Sequence, residues 1–158
     1  MEKCKMPQNY TTIKEMFLGS IDKYANEVGF LEKRPGYKEF RNITYKEFGE
    51  DVIALGTALV EKLGLEGERI AVIGENSYEW AVSYFSVACG AGIVVPIDKE
   101  LPSNEIENLV RRSEAKAIFY SPRKRDTIEE VKKAKTNLKY FIELYPTEDK
   151  SPINIDEE

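Results

Sequence analysis

The sequence predicts an α/β domain: an open, mostly parallel sheet with helices on both faces, preceded by a β-hairpin and N-terminal helices. Three observations predict it. Ile70, Ala71, Val72 and Ile73 are consecutive apolar residues, as expected of a strand covered on both faces of a parallel sheet. From residue 69 to residue 144 such runs alternate with helix-patterned stretches. Upstream, Arg34-Pro35-Gly36-Tyr37 separates two short strand-like runs, which is a hairpin signal.

Thr12-Ile13-Lys14-Glu15 reads as a capping box, and Ile13, Met16, Phe17, Ile21, Tyr24 and Ala25 follow at helical spacing, predicting a helix over 12–26. Residues 28–31 and 40–43 are the hairpin strands. Thr44-Tyr45-Lys46-Glu47 is a second capping box, opening a helix whose apolar positions (Phe48, Val52, Leu55, Leu59, Leu63) recur every three to four residues until Gly64. Residues 68–98 then form strand, turn, helix, turn, strand, a βαβ crossover whose rule-bound hand is right. Asn76 with Glu79 three residues on marks the helix start; Gly90 and Gly92 mark its end. Leu101-Pro102-Ser103 introduces a helix with Ile106, Leu109 and Val110 on its buried side, residues 116–120 a strand, 126–135 a charged helix carrying Ile128 and Val131, and 139–144 the last strand. Residues 1–144 are thus read as one structural unit and the acidic, aperiodic residues 145–158, with Pro146 and Pro152, as a linker or frayed end.

A chain of 158 residues is enough for one domain that buries roughly 70% of its unfolded surface. The net charge of −5 disfavours nucleic acid as a partner. Two cysteines, Cys4 and Cys89, do not make a disulfide framework, so a cytoplasmic setting is expected. The N-terminus lacks the apolar core of a secretory signal. Residues 80–97 carry no charge and approach the length of a membrane span, but Ser83, Ser86, Gly90, Gly92 and Pro96 and a β-branched second half predict a buried helix plus strand, with no transmembrane segment.

Candidates for chemistry are few. No histidine is present, which removes His-dependent triads and His-ligated metals. The strand–helix junction Gly74-Glu75-Asn76-Ser77-Tyr78 has one glycine and a carboxylate that repels phosphate, in place of a dinucleotide fingerprint or P-loop. Zinc and calcium signatures and a G-x-S-x-G elbow are also missing. Glu75, Asp98 and Glu100 fall at C-terminal strand ends, the edge where open α/β sheets bind ligands, and are read as solvated loop or capping residues. The basic positions 111, 112, 116, 123, 124, 125, 132, 133 and 135 are read as charged helix faces. Trp80, Tyr84 and Phe85 are assigned to helix–sheet core, and Cys89, with no cation nearby in sequence, to an inert buried thiol.

Ile43-Thr44-Tyr45-Lys46-Glu47-Phe48, then residues 63–72 running into Glu75-Asn76-Ser77-Tyr78-Glu79-Trp80, then residues 88–98 and Ser113-Glu114-Ala115-Lys116 occur in an order and spacing that resemble the N-terminal part of the AMP-forming acyl-CoA synthetases. The resemblance covers roughly residues 10–144, with Glu68 where that family usually has Asp; Arg34-Pro35-Gly36-Tyr37 points to its long-chain fatty-acid branch. It implies a parent ligase that joins ATP, a carboxylate and CoA, with Mg²⁺, through an acyl-adenylate, and that can associate peripherally with membranes. The family's phosphate-gripping loop, its ribose-binding Asp and its catalytic Lys are expected beyond residue 144. No catalytic, cofactor-binding or metal-binding residue is therefore assigned in this chain, and the fragment is expected to be inactive. Its expected partners are the remainder of the parent ligase and, through exposed apolar surface, a second copy of itself. A self-contained, flavodoxin-like binding or regulatory module is the alternative.

Overall fold

The computed structural model describes residues 9–33 and 38–144, together with the backbone of 155–157. Helix α1, Ile13–Lys23, starts where the Thr12 hydroxyl accepts from the Glu15 N–H at 3.1 Å. Only half of the expected capping box forms. The Glu15 carboxylate turns to Thr11, taking its N–H at 2.9 Å and its hydroxyl at 2.6 Å, because that one residue offers a backbone and a side-chain donor together. Strands β1 (Val28–Glu32) and β2 (Arg41–Thr44) pair antiparallel as predicted, while their Arg34-Pro35-Gly36-Tyr37 turn lies outside the described residues. Helix α2, Tyr45–Glu61, has the complete reciprocal box: Thr44 Oγ1 accepts from Glu47 N at 3.2 Å and the Glu47 carboxylate accepts from Thr44 N at 2.8 Å.

The chain then enters the sheet with β3, Glu68–Ile73, and crosses through α3, Tyr78–Ser86. The cap of α3 is Ser77, not Asn76: Ser77 Oγ accepts from Trp80 N at 3.1 Å, which shifts the helix start by one residue. Past α3, Val87–Ala91 widen into a π-type segment that kinks at Gly90 (φ +154°) and leads into β4, Gly92–Ile97. Gly92 is required by close approach, since a Cβ there would overlap the Glu68 carbonyl. Helix α4 (Ser103–Ser113), strand β5 (Ala117–Tyr120), helix α5 (Arg125–Lys133) and strand β6 (Tyr140–Glu143) follow. Strand β7, Ile155–Glu157, lies within the stretch read from sequence as a linker or frayed end, and it adds to β6 antiparallel.

The sheet order is β4-β3-β5-β6-β7, its first four strands parallel. Alternation along β3 divides the core into two faces. Ile70 and Val72 meet Leu59, Val87 and Phe119 beneath α2 and α3. Ala71 and Ile73 meet Ile106, Val110, Ile128 and Val131 beneath α4 and α5. A third cluster lies outside α3: Phe17, Phe48, Tyr78 and Val82, with Phe30 and Phe85 against them. Phe48 is its hub, with ring centroids of Phe17, Phe30, Tyr78 and Phe85 between 4.7 and 5.9 Å away. No helix of the described residues is long and apolar enough to cross a membrane; the uncharged residues 80–97 are a buried helix, a kink and a strand.

Candidate functional site

The parallel strands β3, β4 and β5 end together, and Glu75, Asp98, Glu100 and Ser121 follow them at one edge of the sheet. The register explains the meeting: Ile73 pairs with Ile97 on one side and with Tyr120 on the other. Gly74 lets the strand end pass Ser121, since a Cβ there would stand 3.0 Å from the Ser121 Cβ.

The carboxylates are placed at this edge as expected, and each has a local duty. Asp98 Oδ1 accepts from Glu100 N at 2.9 Å, folding the exit of β4 into an Asx turn. Glu100 pairs with Lys99, whose ammonium is held above the usual lysine range by that hydrogen bond and charge. Burial works against a charged Glu75, but the neighbouring Ser121 hydroxyl, its own N–H and the Arg123 and Lys99 charges outweigh burial and hold its carboxyl below the usual range. Ser121 Oγ faces this carboxylate outside strict hydrogen-bond geometry and is itself fully buried. Beside them, Arg125 grips Glu143 through two bonds of 2.6 Å, Nε to Oε2 and Nη2 to Oε1, an arrangement not foreseen from sequence because the partners lie 18 residues apart.

The basic region is a charged helix face only in part: Arg111 pairs with Glu107 at 3.0 Å along α4, whereas Arg125 clamps Glu143, Lys116 and Lys135 lie outside the helices, and Lys132 pairs with Glu129 at 3.0 Å while lying over Phe141. Trp80 and Tyr84 stack at 5.4 Å, Trp80 against the sheet-side core, and Phe85 joins the outer aromatic cluster. Cys89 departs from expectation. It is half-buried, and Lys14 of α1 is brought close in space although 75 residues away in sequence. Burial nevertheless dominates and raises the thiol above its usual range, Lys14 only partly opposing it.

These residues do not fit a bound nucleoside triphosphate. The β3–α3 turn presents Glu75 where a phosphate would need N–H donors, and Lys99 and Arg125 are engaged by carboxylates of the same chain. Among the described residues no group of three or more His, Cys, Asp or Glu is arranged to hold a metal.

Comparison with known proteins places this geometry. The family described as AMP-binding enzyme matches residues 22–158. Long chain acyl-CoA synthetase 1 of Arabidopsis thaliana is 27% identical over 114 residues, covering 69% of this chain and 17% of the relative. A long-chain-fatty-acid–CoA ligase of Escherichia coli O157:H7 is 26% identical over 126 residues, 79% of this chain and 21% of the relative. Among solved structures, the N-terminal domain of FACL13 from Mycobacterium tuberculosis superposes with a TM-score of 0.72 at 17% identity, covering 85% of this chain and 34% of that one. The chain thus spans about a fifth of the length of the curated relatives it matches.

Proposed function

Because this chain belongs to the AMP-binding enzyme family, we propose that it forms the N-terminal scaffold of a ligase that activates a carboxylic acid with ATP and passes it to CoA. It resembles the N-terminal part of long-chain fatty-acid–CoA ligases, which makes a long-chain fatty acid the favoured substrate and ATP, Mg²⁺ and CoA the reactants of the whole enzyme. The remainder of that ligase is the partner, in a cytoplasmic setting. The observation that carries the reading is the sheet edge itself. Its cations Lys99 and Arg125 are tied to Glu100 and Glu143, and its loop lacks the donors that a triphosphate needs, so the phosphate chemistry belongs to other parts of the enzyme. The family motifs present here serve packing: Thr44 and Glu47 cap α2, and Gly92 lets β4 close on β3. A self-contained flavodoxin-like module is not favoured, since the match to ligases runs along most of the chain.

Carboxylate-dependent ATP–pyrophosphate exchange tests this directly. The 158-residue polypeptide is expected to give none with fatty acids of any chain length, whereas the product of the whole reading frame is expected to exchange. Exchange by the isolated polypeptide, or micromolar ATP retention in equilibrium dialysis, overturns the scaffold assignment.

A further inference from the structure

One concave site lies away from the sheet edge. Helices α1 and α2 and the kinked Val87–Ala91 segment enclose a groove of about 330 Å³. Its walls are apolar: Phe17 and Leu18 from α1, Val52, Ile53 and Val60 from α2. Leu18 and Ile53 stay exposed at 42% and 55%, so the groove opens to solvent. Its volume lies at the lower end of the roughly 300–1,000 Å³ typical of small-ligand pockets. The floor owes its shape to two glycines. Gly56 lets α2 pass within van der Waals reach of the Ser86 backbone, and Gly90 turns the chain away at positive φ. Wide turns of this kind occur frequently at functional positions.

Three polar features distinguish the groove from an ordinary helix seam. Lys14 lines it, its ammonium 3.6 Å from where a Gly90 Cβ would stand, with no ion-pair partner among the described residues. Cys89 faces the same space, half-buried. Glu61, at the last position of α2, is the countervailing charge on the lining. A lysine that is not ion-paired among the described residues, at the mouth of an apolar groove, is complementary to an anion with a short apolar tail, with Glu61 on the same lining opposing it. We propose that this groove is a binding site for a small amphiphilic anion, its alkyl tail between α1 and α2 and its head on Lys14. The proposal stands apart from the ligase reading, because its readout is a thiol and not turnover.

The probe is 1-octanesulfonate, whose head stays charged, used below its micellar range. Cys89 and Cys4 are alkylated with iodoacetamide and their rates separated by peptide mass mapping. Occupancy at ten times the dissociation constant is expected to slow Cys89 about tenfold, with the Cys4 rate unchanged. Lys14→Gln is expected to weaken protection about threefold to fivefold, as for an exposed charge pair, and Glu61→Gln to strengthen it. Octanol, with the same tail and no charge, is expected to protect less than the sulfonate. The proposal is overturned by equal protection from octanol, by protection that survives Lys14→Gln undiminished, or by parallel slowing of both cysteines. It is equally overturned if Cys89 is already shielded in the free protein, either in proportion to protein concentration, which marks a second copy, or until residues 1–8 are removed. Unchanged melting temperatures of both variants keep the comparison on binding and off folding.

Discussion

The two faces of the sheet are covered by helices of opposite character. On one face, α4 and α5 bury a single stripe, Ile106 and Val110 then Ile128 and Val131, and carry charged residues such as the Arg111–Glu107 pair and Glu129 toward solvent. On the other face, α3 has almost no solvent side. Trp80 packs toward the sheet, while Tyr78 and Val82 pack outward into the aromatic cluster built by α1, α2 and the hairpin. A helix in the middle of three layers needs uncharged residues nearly all round, which is why the α3 residues 80–86 lack charge without belonging to a membrane span. Charge on a helix therefore reports how many layers cover it.

The largest expected effect comes from the outer layer. Phe48→Ala removes a nearly fully buried ring in contact with four others, and a loss of about 3–5 kcal/mol in urea unfolding is expected. A loss below about 1 kcal/mol would mean that α3 is not held from outside, and the contrast between the faces would collapse.

Next comes the edge of the α4–α5 face. Glu143→Gln leaves a bidentate arginine without its charge partner, and because Glu143 is buried while the Arg125 side chain is 45% exposed, about 1–2 kcal/mol is expected. Glu107→Gln, on the solvent side of α4, is expected to change the urea midpoint within error. Equal effects would show that the two pairs are equally solvated.

The two caps sharpen the same contrast between anchored and peripheral elements. Thr44→Ala is expected to cost about 1 kcal/mol, since the hydroxyl serves a complete box at a half-buried position, and Thr12→Ala about half as much at an exposed one. Chemical denaturation of the two variants side by side distinguishes them.

The smallest effect is acidic. The Glu75 carboxyl is held below the usual carboxylate range, so its contribution is fully present above that range and disappears as pH falls through the lower folded value. Glu75→Gln, which mimics the protonated acid, is expected to lower neutral-pH stability by that contribution and to converge with the parent protein as pH falls below about 4.5, flattening the acid limb. An acid limb identical to that of the parent protein would show that Ser121, Arg123 and Lys99 do not stabilise this charge.

Most elements were legible as hydrophobic periods and caps, because both are local. The run from Ile70 to Ile73, the Thr44–Glu47 box and the stripes of α4 and α5 each lie within a few residues of chain, and the observed elements agree with them to within a few positions. The α3 cap was off by one, because Asn76 and Ser77 are both good caps and backbone geometry at the end of β3 chose between them. The candidate site was legible only as a location. Glu75, Asp98 and Glu100 were placed at the correct edge by strand ends alone, but the Ser121 neighbour of Glu75 and the Arg125–Glu143 clamp depend on β5 and β6 lying beside β3.

By itself the amino-acid order determined which segments are helix or strand, which sides of them seek a core, and the succession of motifs shared with AMP-binding enzymes, since each is written in short-range spacing. Only tertiary structure decided that α3 is sandwiched, that Ile155–Glu157 completes the sheet against β6, and that Lys14 stands beside Cys89 over an open groove. Those outcomes join residues far apart along the chain, and packing brings them together in ways no local pattern records.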